Sequence, residues 1–218
     1  MMIFTDRIEA GQVLGVELKT RYRDARPVVL GLPRGGVVVA AEVATQLAAT
    51  LDVFVVRKIG CPWCKEIAMG AVASGNIVVR NKSVLAKMRI SEREFQKGLQ
   101  RELVVLARRE KTYRGDRPPV VVRDRSVILV DDGLATGATM RAAVEGVRAR
   151  RPKEIIVAVP LGARETCETL RPTVDDLVCL ATPEPFFSVG QWYYHFDQTT
   201  DDEVHRLLET ANKELSTP

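Results

Sequence analysis

The stretch Val127-Ile128-Leu129-Val130-Asp131-Asp132-Gly133-Leu134-Ala135-Thr136-Gly137-Ala138-Thr139-Met140 decides how the rest of this chain is read. Its four aliphatic residues in a row, without polar alternation, are the pattern of a strand buried on both faces, as in a parallel sheet. Two carboxylates, Asp131 and Asp132, follow at the carboxyl end of that strand, the edge where open α/β sheets bind their ligands. Small residues come next and lead into Arg141-Ala-Ala-Val-Glu-Gly-Val-Arg148, a helical pattern. Small side chains let the backbone approach a ligand closely, and a new helix presents free N–H groups. Thr136 and Thr139 add hydroxyl donors. A phosphate monoester fits such a cup and leaves the carboxylates for hydroxyls or a magnesium ion. A βα turn rich in Gly and Thr, or an acidic pair after a strand, is common by itself; the whole string is much narrower than either part.

Working outward, Pro27-Val-Val-Leu-Gly31 reads as a short buried strand, Leu32-Pro33-Arg34-Gly35-Gly36 as a tight turn, and Val37 to Leu47 as a helix with a β-branched start. One arginine beside bare glycine amides is a good anion site, since a guanidinium binds phosphate as a bidentate fork. Asp52 to Lys58 reads as another buried strand, with Arg57 and Lys58 at its carboxyl end on the same rim as Asp131 and Asp132. Before these, Asp6 to Arg21 carries Ile8, Leu14 and Leu18 at helical spacing, with Thr5 or Asp6 as cap.

Cys61-Pro62-Trp63-Cys64 has the form of a glutaredoxin redox box, but it follows two strands and an arginine-glycine loop instead of one strand. A zinc site needs two further ligands, and no second Cys-x-x-Cys or paired His supplies them. The stretch is therefore expected to be a mobile loop that contains cysteines. Met69 to Arg80 predicts two short strands around Ser74-Gly75-Asn76. Ser91-x-x-Glu94 is a capping box that opens a long helix to about Tyr113, with Phe95, Leu99, Leu103 and Leu106 along one core-facing stripe. Gly115 to Pro119 breaks the chain before the central strand. A strand over 154–160, a helix over 163–170 and a strand over 176–180 follow.

Pro183 to Phe196 is dense in aromatic residues and broken by Pro and Gly, the composition of an irregular apolar flap that packs under a loop or stacks on a planar ligand. Thr200-x-x-Glu203 caps a last amphipathic helix. His195 and Asp197 do not extend to a catalytic triad, because no Gly-x-Ser-x-Gly elbow is present. No Gly-x-x-x-x-Gly-Lys-Ser/Thr loop marks a nucleotide triphosphatase either.

At 218 residues, with 28% charged and 46% hydrophobic side chains, the chain suits one globular core with an appended flap. A net charge of +4 suits a polyanionic small molecule as well as nucleic acid, so it decides nothing alone. Arg148-Ala-Arg150-Arg151 reads as a helix C-terminus, where cations suit the dipole, and no nucleic-acid partner is expected. The first residues lack the apolar core of a signal peptide, no run approaches membrane-spanning length, and cysteines 61, 64, 167 and 179 have no secreted-framework spacing. A cytoplasmic, reduced protein without a membrane partner is the expectation.

The central string, the Leu-Pro-Arg34-Gly35-Gly36 turn and the Arg57-Lys58 strand end together resemble a type I phosphoribosyltransferase, over about residues 27–160. Gly-Leu-Pro-Arg-Gly-Gly, Val-Arg-Lys-Ile-Gly and Val-Gly-Gln-Trp-Tyr widen the likeness to a bacterial phosphoribosyltransferase group of undefined base. The resemblance implies a Rossmann-like α/β fold: a parallel sheet with flanking helices, and a small aromatic-rich hood. Residues 1–182 would form the core, and residues 183–218 a C-terminal hood segment and helix packed on the same domain. The activity implied is transfer of a phosphoribosyl group from 5-phosphoribosyl 1-pyrophosphate (PRPP) to a nitrogenous base, with Mg2+ carried by PRPP and no direct protein ligand. Asp131 and Asp132 would meet the ribose hydroxyls. Ala135, Thr136, Gly137, Ala138 and Thr139 would surround the 5′-phosphate. Arg34, Gly35 and Gly36, with Arg57 and Lys58, would hold the pyrophosphate.

Lys65 and Glu66 are candidate substrate-assisting groups, because the family's catalytic loop lies between the second strand and the long helix. Phe186, Phe187, Trp192 and Tyr193 would roof the base. Ala135 departs from the aspartate that 6-oxopurine enzymes carry at that place, which argues against hypoxanthine or guanine. The family also suggests a homodimer. Two other readings stand beside the transferase: a PRPP-sensing regulator that performs no transfer, and a thiol-redox protein built on Cys61 and Cys64.

Overall fold

In the computed structural model, which describes residues 2–214 apart from the side chains at 212 and 214, the chain runs through eight strands and seven α-helices. They are α1 (Arg7–Tyr22), β1 (Val28–Gly31), α2 (Gly35–Leu47), β2 (Thr50–Val53), β3 (Val56–Cys61), β4 (Cys64–Ala73) and β5 (Ile77–Arg80). After these come α3 (Lys82–Lys87), α4 (Glu92–Arg114), β6 (Ser126–Val130), α5 (Ala138–Arg148), β7 (Glu154–Leu161), α6 (Arg164–Leu170), β8 (Asp176–Ala181) and α7 (Asp201–Glu214). Residues 215–218 of the expected C-terminal segment lie outside the described residues, as does residue 1.

The aliphatic run Val127–Val130 is buried along its whole length, because β6 is the middle of a parallel sheet ordered β2-β1-β6-β7-β8. Side chains alternate between the two faces of a strand. Val29, Ile128, Val130 and Ile156 meet Leu14, Leu18, Val37 and Val43 of α1 and α2. Val28, Leu30, Val127, Leu129 and Val157 meet Met140, Ala143, Val147 and Leu170 of α5 and α6. Helices on both faces explain why these strands read as continuous apolar runs. The chain leaves β1 for β2 on one side, while β6 pairs on the other. That makes the carboxyl ends of β1 and β6 the switch point of the sheet, the edge where open α/β folds bind their ligands.

Two expectations need correction. Ile8 is 47% exposed, so the buried stripe of α1 is Ala10, Leu14 and Leu18, with Gly11 and Gly15 between. A Cβ on Gly11 would lie 2.8 Å from the Val39 carbonyl oxygen, so the small residues let α1 approach α2 closely. The second correction concerns Asp52 to Lys58, which is two strands. β2 ends at Val53, and Phe54 and Val55 turn the chain into β3 of a separate antiparallel sheet, β3-β4-β5. Both turning residues are 1% exposed, and their N–H groups are met by the Gly31 carbonyl and the Ser74 hydroxyl. Partners distant in sequence satisfy this buried turn, so no polar residue marks it locally.

The Cys-Pro-Trp-Cys stretch is the tight turn of the β3–β4 hairpin, with Cys61 opposite Cys64 and both thiols free. Helix α4 opens on the Ser91–Glu94 capping box and packs over this sheet, where a Cβ on Gly98 would sit 2.6 Å from Met69 Cε. Among the described residues no helix is long and apolar enough to cross a membrane.

Candidate active site

The site at the carboxyl ends of β1 and β6 is built around the acidic pair. Asp131 Oδ1 accepts the Asp132 N–H at 2.9 Å, and Asp132 Oδ2 receives Arg7 Nε at 2.8 Å. The two carboxyl groups also lie within hydrogen-bond reach of each other, and Arg7 is the one side chain ion-paired to either among the described residues. Burial first, then the Asp132 charge beside it, pushes the Asp131 carboxyl well above its usual range. Tyr193 donates its hydroxyl to the Asp132 carbonyl at 2.6 Å and fixes the backbone at this point.

The arginine-glycine turn lies directly on this pair. A Cβ on Gly36 would meet Asp131 Oδ1 at 2.7 Å, and one on Gly35 would land on Asp132 Oδ2 and 2.7 Å from Arg7 Nε. Only glycine admits so close an approach. The Pro33–Arg34 peptide is cis, and Arg34 Nη1 stands 3.7 Å from Asp201 Oδ1 of α7. Tyr113 donates to the same Asp201 oxygen at 3.0 Å; its own hydroxyl is pushed up to about 12, chiefly by burial.

On the other side of the pair the chain loops into α5. Gly137 takes φ +69°, the left-handed region, and a Cβ there would lie 2.7 Å from Thr166 Cγ2. Thr166 Oγ1 donates to the Ala135 carbonyl and Arg141 Nη2 to the Thr136 carbonyl, each at 2.6 Å. These bonds hold the loop from outside, and no side chain caps the first turn of α5. Its N–H groups are left for an external acceptor, with exposed Thr136 and Thr139 beside them.

Other residues singled out from sequence are placed elsewhere. Arg57 is bound by Glu102 of α4 at 2.9 Å, so it turns toward the long helix. Lys58 lines a cavity of about 570 Å³ with Arg80, Lys82 and Arg141, against α5. Neither ends a parallel strand, because β3 belongs to the second sheet. Lys65 and Glu66 lie exposed near the hairpin turn, with no bond to the acidic pair among the described residues.

The aromatic segment divides. Phe186 packs on Trp192 at 6.5 Å between centroids, whereas Phe187 is 83% exposed. Tyr193 is a strut and not a stacking face: its ring is buried between Phe4 and Phe196, at 5.8 and 5.1 Å. Val189 brings the segment onto the backbone after the pair, since a Cβ on Gly133 would lie 2.6 Å from it.

Sequence reasoning missed Arg7, Arg141 and the Tyr193 hydroxyl. Arg141 had a signal, being a cation one turn into the loop's helix. Arg7 had none, since an arginine after an N-cap ordinarily points to solvent.

Two aspartates at the switch point, a glycine turn packed on them and an uncapped helix start form a site for a hydroxylated, phosphorylated ligand. The comparisons agree with that architecture. The phosphoribosyl transferase domain family matches residues 14–194. The chain is 40% identical over 216 residues to "Putative phosphoribosyl transferase Rv0571c" of Mycobacterium tuberculosis, covering 99% of this chain and 48% of the relative. It therefore spans about half the length of the curated relatives it matches. Among solved structures, TT1426 from Thermus thermophilus superposes with a TM-score of 0.84 at 42% identity, covering 95% of this chain and 98% of that one. A Neisseria gonorrhoeae protein solved with bound ppGpp shares the fold alone, at a TM-score of 0.53 and 15% identity over 96% of this chain and 97% of that one. With the family matched across most of its length, this chain belongs to the phosphoribosyl transferase domain family.

Proposed function

We propose that this protein transfers the phosphoribosyl group of magnesium PRPP to a nitrogenous heterocyclic base and releases pyrophosphate. The observation that carries this reading is the acidic pair Asp131 and Asp132, with the glycine turn packed directly on it and the uncapped start of α5 following it in the chain. Two adjacent acceptors suit the two hydroxyls of a ribose. The amides and hydroxyls of residues 135–139 suit its 5′-phosphate, and Arg34 with the Gly35 and Gly36 amides suits the pyrophosphate.

In the transfer, the base nitrogen forms a bond to ribose C1 as the bond from C1 to the pyrophosphate oxygen breaks; the electron pair leaves with pyrophosphate, and the proton of the base N–H passes to pyrophosphate or solvent. The carboxylates stabilise positive charge that develops on the ribose, and Arg34 meets charge that develops on the leaving group. The ion itself fits as cargo of the substrate: two carboxylates, one already engaged by Arg7, fall short of the several oxygen ligands a resident site would supply. Bound with PRPP, magnesium would offset pyrophosphate charge. The segment around Phe186, Trp192 and Val189 would keep water from the reacting carbon.

The test is pyrophosphate release from PRPP and magnesium against a panel of purines, pyrimidines and other nitrogen heterocycles. Base-dependent release establishes the transferase and names the acceptor. Saturable PRPP binding without release from any base makes the chain a PRPP-binding regulator instead. The double variant Asp131→Asn/Asp132→Asn should lose PRPP binding with its fold intact, and unchanged affinity would refute the site.

A further inference from the structure

Arg7 lies outside the part of the chain that matches the family, yet it makes the one side-chain ion pair to the acidic centre among the described residues. Its guanidinium is held on three sides. Nε donates to Asp132 Oδ2 at 2.8 Å, Nη1 donates to the Asp197 carbonyl at 2.8 Å, and the carbon between them stands 3.8 Å over the Phe196 ring. The Arg7 side chain is only 12% exposed, and that of Asp132 16%. Asp6 caps α1 through the Glu9 N–H, and residues 3–5 pair with residues 192–195, so the backbone that carries Arg7 is fixed as well. A guanidinium carries five N–H donors in a rigid planar fork, so one largely buried and engaged on three sides fixes the orientation of the carboxylate it meets.

We propose that Arg7 is a positioning residue for PRPP: by binding Asp132 Oδ2 it fixes the orientation of the Asp132 carboxylate that meets the ribose and offsets one charge of the pair. This rests on the PRPP reading above. Two neighbouring carboxylates that must both accept from ribose hydroxyls repel each other, and a half-buried site screens that repulsion poorly. Arg7 supplies the opposing charge at Asp132 Oδ2. It acts through Asp132 and touches neither pyrophosphate nor base. Tyr193 holds the same residue by its carbonyl, so Asp132 is fixed at main chain and side chain by the two terminal segments.

The experiment measures calorimetric affinity for magnesium PRPP and, separately, for magnesium pyrophosphate, in the wild type, Arg7→Met, Arg7→Lys and Phe196→Leu. Loss of a charge-assisted bond should weaken PRPP binding about ten- to a hundred-fold in Arg7→Met, while pyrophosphate, which has no ribose, changes less than about two-fold. Arg7→Lys keeps the charge and should recover most of the PRPP affinity. Phe196→Leu loosens the packing under the guanidinium without removing its charge, and should stay within about three-fold of wild type on both ligands. Equal weakening on both ligands would make Arg7 a direct pyrophosphate contact and overturn the proposal. So would unchanged PRPP affinity in a folded Arg7→Met. If Arg7→Met does not fold, Phe196→Leu decides: PRPP binding weakened about ten-fold or more in that variant, whose Arg7 charge is intact, assigns Arg7 to tail packing alone and overturns the proposal, and affinity within about three-fold of wild type supports it. Failure of the function reading is distinct, because the wild type would then show no saturable PRPP binding.

Discussion

With no ligand bound, Asp131 holds its proton more tightly than an exposed carboxylate, because burial and the Asp132 charge both disfavour ionisation. An acid whose folded pKa lies above its unfolded value favours the native state most below the unfolded value. That contribution is lost as pH rises through the folded pKa. Asp131→Asn removes the penalty and can still accept the Asp132 N–H. The variant should therefore melt above wild type at pH 8 and converge with it near pH 4, as calorimetric scans across pH would read; a lower melting point at pH 8 would contradict the burial argument. Gly35 gives the opposite case. Gly35→Ala puts a methyl group on Asp132 Oδ2 and against Arg7, which cannot withdraw without breaking the pair. It should destabilise by about 1–3 kcal/mol and lose PRPP affinity, measured by urea unfolding and calorimetry.

At the scale of elements, α4 ties the two sheets together. Its apolar face, Phe95, Leu99 and Leu106, packs into the core around β3 and β4, and its last turn delivers Arg114 under β2. Arg114 Nε meets Asp52 at 2.7 Å and Nη2 the Val53 carbonyl at 2.6 Å, while the other Asp52 oxygen accepts the Val120 N–H at 3.0 Å. The Arg114 and Asp52 side chains are 7% and 9% exposed, so truncating one strands the other's charge. Arg114→Met should cost about 3–5 kcal/mol in urea unfolding, and adding Asp52→Asn should restore part of the loss. A cost below about 1 kcal/mol would mean that water or another group replaces the arginine. The Ser91 cap is a smaller, local contribution, and Ser91→Ala should cost about 1 kcal/mol by the same measurement.

Across the whole molecule, the two terminal segments close on the site as one piece. Ile3 and Phe4 donate their N–H groups to the Trp192 carbonyl, Tyr194 and His195 donate back to residues 4 and 5, and Phe4 packs against Tyr193. Loosening one segment should release the other. In Phe4→Ala, hydrogen exchange should speed up at residues 193–195 while β6 and β7 keep their protection. Protection unchanged at 193–195 would show the C-terminal segment held by its own contacts alone.

Much of this molecule follows from the sequence alone. Continuous apolar runs at 127–130 and 155–160 mean strands covered on both faces. The Ser91–Glu94 box and the Asp6 and Thr200 caps mark helix starts, because capping is satisfied within a few residues. The rule that ligand sites gather at the carboxyl ends of parallel strands puts the acidic pair on the binding edge, and the structure packs the glycine turn, read from sequence only as an anion site, directly against it. Tertiary structure alone decided the rest. The turn at Phe54 and Val55 is apolar and buried, so a run of hydrophobic residues there reads as one strand. Arg57 follows Glu102 toward α4, whatever rim its position in sequence suggests. Arg7 reaches Asp132 across 125 residues, and Tyr193 reaches it across 61. Contacts of that range depend on how closed elements fit against one another, and no local pattern of residue types records them.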